Sequence, residues 1–380
     1  MSLNKITASL HNHSTFSDGA DSPQEVIDRA FDSGITHFTI SDHDTHQMLS
    51  PRHMSEIINR WRGLNRETYG LDVALGRDTE TGSIKTEPLV NPNAVDAPDT
   101  GMYVLKKGEV QSLLLYRGVE YTVMFEGKSR HLIGLGVRYP HDSEVDRCKD
   151  IQTARIGRIH LLAEEINGLV DDDYKHISIE GAKLVALIRN SVPSRLHLGA
   201  LIADQLRNKG GIDLTARQAM DRYVPKSLRR AAISGGVIPE MKDIVTTIHQ
   251  LGGVAILPHI HRNGLGDHDD YERALRRMIL QTGLDGFEVQ DGRYNQCDIS
   301  DEYLRIADSL NRRLHPEIFG LPAGKSTVVI SWGADFHGRY NSEGIIITGS
   351  APPVSHPDAL QKLEERMLYW RENNPAPNQE

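Results

Sequence analysis

The chain has 380 residues, of which 38% are hydrophobic and 25% are charged, and its formal net charge is −9. This composition is typical of a soluble globular protein with one large domain or two ordinary ones. The acidic balance argues against general binding of duplex nucleic acid, which draws its affinity from Lys and Arg, and no apolar run is long enough to span a membrane. Because its two cysteines, Cys148 and Cys297, form no disulfide framework and no signal-peptide pattern opens the chain, we expect a cytoplasmic protein.

The first predicted unit is a strand, a helix and a second strand within residues 6–46. The first strand leads into His11–His13, and Asp18 follows in a turn. Ser22–Glu25 is typical of a helix start, with Ser as N-cap, Pro at the first position and Glu three residues after the cap. The second strand ends on Asp42–Asp44. The two strands of such a unit are parallel, so the pattern predicts that these potential metal ligands lie close together.

The α/β pattern is interrupted twice. Residues 47–109 are rich in Gly, Pro, Asn and Asp, and we interpret them as a loop-rich insertion and candidate lid. Residues 148–235 are predicted to be mainly helical and to form an inserted subdomain. The remaining segments are predicted to form the barrel, followed by a C-terminal helix and frayed tail: 1–46, 110–147 and 236–356, then 357–380.

Histidines and carboxylates end the apolar strands along the whole chain. They are His11, His13, His43, Glu120, His131, His259, Asp335 and His337. Parallel sheets and barrels place functional groups at the C-terminal ends of their strands, so one site is predicted to gather this set. Imidazoles and carboxylates without thiolates suit Zn, Mn or Fe, and the set exceeds what one ion can bind. Each residue alone has an ordinary explanation, such as a surface turn, but their shared placement favours a multinuclear centre.

Seven segments resemble the successive motifs of the polymerase and histidinol phosphatase (PHP) superfamily. They read LHNHSTFSDG, SDHDT, GVEYT, HLIGLG, SRLHLGALIADQL, GGVAILPH and GADFH. The resemblance extends from His11 to His337 and is nearest to the branch of nucleoside 3′,5′-bisphosphate phosphatases and RNA-trimming phosphoesterases. It implies a distorted α/β barrel of the (β/α)7 type and a centre with two or three divalent ions, Mn, Fe or Zn.

The resemblance also implies how the ligands are grouped. One ion would be held by His11, His13, Glu120 and Asp335. Glu120 would bridge to a second ion, held with His131 and His197. A third ion would be held by Asp18, His43 and His337. His259 matches a strand-end His-Pro motif, although Ile260 replaces the proline in this chain.

These residues suggest a metal-dependent phosphoesterase that hydrolyses a small phosphorylated substrate, such as a phosphomonoester, a nucleotide-like molecule or a sugar phosphate. A metal-bound hydroxide would be the nucleophile, and Glu120 would bridge the ions. His259 or Asp44 would donate a proton to the leaving group. Arg195 and Arg262 are candidate phosphate clamps, because a guanidinium fork fits a phosphate group.

Three alternatives remain open at this stage. The chain could be a 5′-3′ exonuclease on short oligonucleotides, a metal-dependent amidohydrolase acting on a carbon centre, or a non-catalytic metal-binding PHP module. An amidohydrolase would favour a Lys among the strand-end motifs, which contain none. A non-catalytic module would have lost ligand positions, and here all are filled. We expect neither a duplex nucleic acid nor a membrane as partner. The choice of substrate is expected to depend on the long insertion, and the oligomeric state stays open.

Overall fold

The fold is a barrel of strands covered by helices. The computed structural model describes residues 6–47, 50, 53, 70–77, 84–88, 101–107, 111–140, 142–169, 177–188, 191–224, 237–260, 268–290, 301–323, 325–338 and 356–375. Arg262, predicted as a phosphate clamp, lies outside the described residues.

The described strands are β1 (Ala8–Ser9), β2 (His37–Ile40), β3 (Gly70–Arg77), β4 (Ile84–Pro88), β5 (Met102–Lys107), β6 (Gln111–Phe125), β7 (Lys128–Leu135), β8 (Val254–Leu257), β9 (Gly286–Glu288) and β10 (Val329–Ser331). The described α-helices are α1 (Pro23–Asp32), α2 (Asp142–Asn167), α3 (Gly181–Ile188), α4 (Arg195–Gly210), α5 (Ala216–Tyr223), α6 (Met241–Gln250), α7 (His268–Thr282), α8 (Asp301–Arg313) and α9 (Ala359–Asn373). None of these helices is both long and apolar enough to cross a membrane.

Seven strands form a ring in the order β1, β2, β6, β7, β8, β9, β10. The ring closes where the chain after β10 runs parallel to the chain after β1. There Leu10 N–H donates to the Trp332 carbonyl and His13 N–H donates to the Phe336 carbonyl, each at 2.9 Å. All neighbours are parallel except β7, which is antiparallel to both β6 and β8. The predicted distorted (β/α)7 barrel is confirmed, with one reversed strand.

The reversed strand follows from a tight hairpin turn. Glu126 and Gly127 both have positive φ, 48° and 70°, as a two-residue turn of this kind requires. Glycine adopts this conformation without strain. The turn places His131 opposite Thr122 of β6. Because β7 runs backwards, its first half lies at the same end of the barrel as the C-terminal ends of the parallel strands. A histidine in the middle of the sequence thereby reaches the same mouth as the strand-end residues.

The segment between β2 and β6 contains more strand than we predicted. β5 pairs antiparallel with the first half of β6, β3 pairs with β5, and β4 pairs with β3. This part of the insertion therefore extends the sheet. Some of the residues that suggested loops lie within these strands, since β3 contains Gly70 and Gly76 and β4 ends at Pro88. A lid role for the rest of the insertion stays a prediction.

Three apolar clusters stabilise the molecule. The largest lies between the barrel strands and helices α6 to α9. The second lies under α1, where Val26, Ile27 and Phe31 pack with residues of β2 and β5. α1 begins as predicted, because Ser22 and Glu25 form a capping box. The third cluster is formed by α2 to α5 and the segments next to them, so the helical block has a core of its own.

Candidate metal centre

Glu120, in the middle of β6, is the central residue of the predicted site. Its side chain is fully buried, and five imidazole rings surround it. The two carboxylate oxygens face different nitrogens. Oε2 lies 3.2 Å from His11 Nε2, 3.2 Å from His13 Nε2 and 3.1 Å from His43 Nδ1. Oε1 lies 2.8 Å from His131 Nδ1 and 3.0 Å from His259 Nε2. A carboxylate with separate partners on each oxygen has the arrangement of a bridging ligand.

The first donor group has the size of a tetrahedral metal site. His11 Nε2 lies 3.2 Å from His13 Nε2, and Asp335 Oδ1 lies 3.5 Å and 3.3 Å from these two nitrogens. Glu120 Oε2 completes the group. Around an ion with bonds of about 2.0–2.1 Å, tetrahedral donor atoms are about 3.3–3.4 Å apart. The predicted first ligand set therefore fits a divalent ion.

A second group lies on the other side of the His13 ring. Asp18 Oδ1 is 3.2 Å from His337 Nε2 and 3.8 Å from His13 Nδ1, and Asp18 Oδ2 is 3.8 Å from His43 Nε2. The His13 ring stacks on both other rings, with centroids 4.6 Å and 4.3 Å away. The predicted set of Asp18, His43 and His337 is thus brought together and can hold an ion.

The remaining predicted set is only partly assembled. His131, His43 and Glu120 form a donor group. His197 interacts electrostatically with Asp18 and His337. Its Nδ1 accepts a hydrogen bond from the Ser194 N–H at 3.1 Å, which is part of the cap at the start of α4. The grouping of His197 with His131 stays a prediction.

Close backbone packing positions these side chains. A Cβ on Gly333 would lie 2.4 Å from the His11 Cβ, and a Cβ on Gly19 would lie 2.6 Å from the His13 carbonyl oxygen. Only glycine allows these approaches. Asp335 and His259 have positive φ values of 48° and 34°. Such conformations are strained for residues with a side chain, and they are concentrated at functional sites.

Glu288, at the end of β9, is a site residue that the sequence reasoning missed. Its carboxylate lies 3.1 Å and 3.3 Å from His11 Nδ1 and accepts the His259 backbone N–H at 2.9 Å. A carboxylate behind a ligating imidazole fixes the ring orientation and tautomer. The sequence carries a signal for this role, because Glu288 ends an apolar strand as several of the predicted ligands do.

Asp42 and Asp44, which flank His43, are fully engaged in holding the site. Asp42 accepts hydrogen bonds from the Ser14 N–H and hydroxyl and from the Ser17 hydroxyl, at 2.6–2.7 Å. Asp44 accepts from the Thr122 N–H and hydroxyl and pairs with Arg155 at 2.7 Å. Both oxygens of Asp44 are occupied, so this geometry favours a positioning role over the predicted proton transfer.

Burial and close pairing shift the pKa values of the groups in this centre. Burial opposes protonation of His13, yet hydrogen bonds to Asp335 and Glu120 outweigh it and raise the pKa of His13 to about 10. Burial also lowers the pKa of His43 well below its ordinary value, and the nearby carboxylates do not overcome this effect. Burial would raise the pKa of Glu120, but the imidazoles of His43, His131 and His11 hold it well below its usual range. The carboxylates of the centre therefore favour the ionised form, which is the form that binds a divalent cation.

Three arginines lie together beside the centre. Arg155 and Arg158 follow each other by one turn on α2, and Arg195 is the first residue of α4. Burial and the charges of Arg195 and Arg155 lower the pKa of Arg158 to about 10. Arg155 is tied to Asp44, and Arg195 is two residues before His197. Such a cluster of like charges favours binding of an anion.

Comparison with known proteins gives likenesses of three kinds. The sequence matches no protein-family model. It is similar to a 5′-3′ exoribonuclease of Haemophilus influenzae, with 23% identity over 287 residues that cover 74% of this chain and 78% of that protein. The structure is similar to one from Bifidobacterium adolescentis described as a metal-dependent phosphoesterase, with a TM-score of 0.58, 18% identity and coverage of 94% and 96% of the two chains. It is also similar to an amidohydrolase of Chromobacterium violaceum with bound sulfate, with a TM-score of 0.57, 21% identity and coverage of 94% and 96%.

At these identities the likenesses establish a shared fold. The fold is the distorted barrel expected from the PHP motifs. Membership of that superfamily and the branch within it stay predictions.

Proposed function

We propose that the chain is a metal-dependent phosphoric ester hydrolase that acts on a small phosphorylated substrate. One observation carries the proposal: the buried Glu120 carboxylate presents one oxygen to each of two imidazole groups, at distances of 2.8–3.2 Å. The name of the Bifidobacterium structure, which shares the fold, supports the same reaction class.

The centre would bind two or three ions through the nine predicted ligands. Glu120 would be shared between two of the donor groups, and Asp18 would belong to another. When bound, the ions lower the pKa of a water nucleophile and neutralise charge on the phosphate oxygens. Zn, Mn and Fe are all compatible with this set of nitrogen and oxygen donors.

His259 is our candidate for the proton donor to the leaving oxygen. It is mostly buried at the end of β8, and Glu288 holds its backbone N–H. Its Nε2 lies 3.0 Å from Glu120 Oε1, at the edge of the donor groups. An imidazole in that position can transfer a proton to an oxygen leaving from phosphorus. Asp44, with both oxygens engaged, is assigned to positioning Arg155.

Arg195 is proposed to bind a phosphate group of the substrate, with Arg158 beside it. The two guanidinium groups and Arg155 lie close enough to affect one another electrostatically. A phosphate between them would offset that repulsion, and a guanidinium can bind it through two parallel hydrogen bonds. The sulfate found in the Chromobacterium structure shows that an anion binds to a protein of this fold.

Substitution of Glu120 tests the proposal. Glu120→Gln keeps the size of the side chain and removes the charge that two donor groups share. We expect activity on a panel of phosphomonoesters, cyclic phosphates and nucleoside bisphosphates to fall by about 100-fold or more with Mn, Fe or Zn.

The matched control is Glu364→Gln, on α9, where the carboxylate accepts a hydrogen bond from Tyr116. Activity of Glu120→Gln at the level of this control would contradict the bridging role, and metal-free wild-type protein after purification without chelators would contradict the proposal as a whole.

The second candidate is a 5′-3′ exonuclease, which the similarity to the Haemophilus protein favours. The same centre would then act on a phosphodiester at the end of a short single strand. Assays with 5′-phosphorylated oligonucleotides distinguish the two functions. Release of mononucleotides, without hydrolysis of any small phosphoester, would favour the exonuclease. Hydrolysis of amides or lactones in place of phosphoesters would favour the activity for which the Chromobacterium protein is named.

A further inference from the structure

A separate group of potential metal ligands lies behind β6. His46 follows the end of β2, and Glu144 and Cys148 lie on α2. One donor atom from each residue lies within 4.8 Å of the other two. All three side chains are buried. Glu144 and Cys148 are four residues apart, which places them on one face of the helix.

This group is distinct from the centre around Glu120. Side chains alternate between the two faces of a strand, so Tyr121 points away from the face that carries Glu120. The Tyr121 hydroxyl lies 3.4 Å from His46 Nε2, and the two rings are in edge contact at 5.7 Å. The group therefore lies on the opposite face of β6 from the nine predicted ligands.

Two of its polar atoms are buried without a partner. Among the described residues, neither His46 Nδ1 nor Glu144 Oε1 has a hydrogen-bond partner. The other Glu144 oxygen lies 3.0 Å from an Arg147 nitrogen, so Oε1 remains available. A buried polar atom without a partner destabilises the fold, and a cation at this position would satisfy both atoms.

We propose that His46, Glu144 and Cys148 bind one divalent ion, Zn²⁺, at a site separate from the predicted catalytic centre. Nitrogen, oxygen and thiolate sulfur are all zinc ligands. Glu144 and the Cys148 thiolate carry two negative charges and the imidazole is neutral, so the ion makes the buried group neutral overall. His46 binds through Nδ1, while its Nε2–H donates to the Tyr121 hydroxyl and fixes the ring. On binding, the Cys148 thiol loses its proton to solvent.

The proposed ion would tie the loop after β2 to α2. That loop carries His43 and Asp44, and α2 carries Arg155, which pairs with Asp44. A bond between the two segments would hold the loop and the helix in the relative position that this ion pair also uses. The site is structural in this proposal, because Cys148 is too deeply buried to reach a substrate.

Cobalt spectroscopy on the full chain tests the site. Metal-depleted protein is reloaded with Co²⁺, and the ultraviolet thiolate-to-cobalt charge-transfer band is recorded. The nine predicted ligands of the main centre offer only nitrogen and oxygen, so a sulfur band reports on the new site. We expect the band in the wild-type protein and in Cys297→Ser, which removes the other cysteine. We expect no band in Cys148→Ser, whose zinc content should be lower than that of Cys297→Ser by about one ion per chain.

A second variant, Glu144→Gln, gives a test that does not depend on the folding of Cys148→Ser. Glu144→Gln keeps the thiol and removes one ligand charge, so the same band should require at least tenfold more Co²⁺ to form. A wild-type protein without the band, or a band that persists in Cys148→Ser, would overturn the proposal. Phosphoesterase activity is not part of the readout, so failure of this site and failure of the proposed function are distinguishable.

Discussion

Glu288 and His11 form a carboxylate–imidazole pair behind the first donor group. The His11 ring presents Nε2 to Glu120 and His13, and Nδ1 to Glu288. Glu288 also holds the backbone of His259. One carboxylate therefore orients both a predicted ligand and the proposed proton donor. Its contribution to metal binding would act through His11, without direct contact with the ion.

Glu288→Gln should weaken metal binding without abolishing it. Loss of the charge behind His11 makes the imidazole a poorer ligand, and changes of this kind typically cost 10–100-fold in metal affinity. Competition with a chromophoric chelator measures the affinity, and circular dichroism monitors the fold. Glu364→Gln again serves as the control for a carboxylate that binds a tyrosine hydroxyl. Equal metal affinity in the two variants would show that Glu288 has no effect through His11.

At the scale of secondary-structure elements, α9 is joined to the barrel through Asp285. The Asp285 carboxylate accepts hydrogen bonds from Arg366 Nη1 at 2.6 Å and Trp370 Nε1 at 3.0 Å, both on α9. It also lies 2.7 Å from His249 Nε2 and accepts the Ala255 N–H at 2.8 Å. The His249 and Trp370 rings stack with centroids 3.6 Å apart. The terminal helix is thus held by a buried polar network as well as by apolar packing.

This network should make the free energy of unfolding depend on pH. Burial opposes ionisation of Asp285, but His249 and Arg366 overcome it and lower its pKa from 3.8 to about 2. The ionised carboxylate stabilises the fold above pH 3.8, and this contribution of about 2 kcal/mol is lost as the pH falls towards 2. Urea unfolding of Asp285→Asn and wild type should therefore differ most above pH 4 and converge at lower pH. A stability difference that does not change with pH would contradict this assignment.

At the scale of the whole molecule, the predicted ligands come from much of the barrel ring. His11 and His13 follow β1, His43 follows β2, Glu120 and His131 lie on β6 and β7, and Asp335 and His337 follow β10. Bound ions would connect strands that otherwise interact through hydrogen bonds to their neighbours. The carboxylates and imidazoles of the centre are buried 3.2 Å from one another, and charges buried in this way depend on such partners.

Removal of metal should lower the melting temperature of the entire barrel. A ligand that binds only the folded state adds about 2.7 kcal/mol when its free concentration is 100 times its Kd. Calorimetry of chelated and reloaded protein measures this difference. The increase on reloading should be smaller in Glu120→Gln, which lacks the shared charge. An identical increase in that variant would place the stabilising ions elsewhere in the molecule.

The sequence was sufficient for the barrel and for bringing most of the predicted ligands together at one mouth, because a strand-end residue is a local property. Features that depend on tertiary contacts were not predictable in the same way. The position of His197 depends on how α4 meets the barrel, and the pairing of β3 to β5 depends on a register set by β6. The group of His46, Glu144 and Cys148 has no sequence spacing of a metal motif, since a loop and a distant helix bring it together.

The predicted ligands differ in how far their side chains are exposed to solvent, and this difference should affect the rate of metal release. The His131 side chain is 34% exposed, whereas those of His11, His13 and Glu120 are 0% exposed. The reversed strand thus leaves one donor group open to solvent, while the first group is sealed. A chelator added to metal-loaded protein should remove the ion beside His131 quickly and the ion between His11 and His13 slowly. Stopped-flow release would then have a fast phase followed by at least one slow phase, and His131→Ala should remove the fast phase alone.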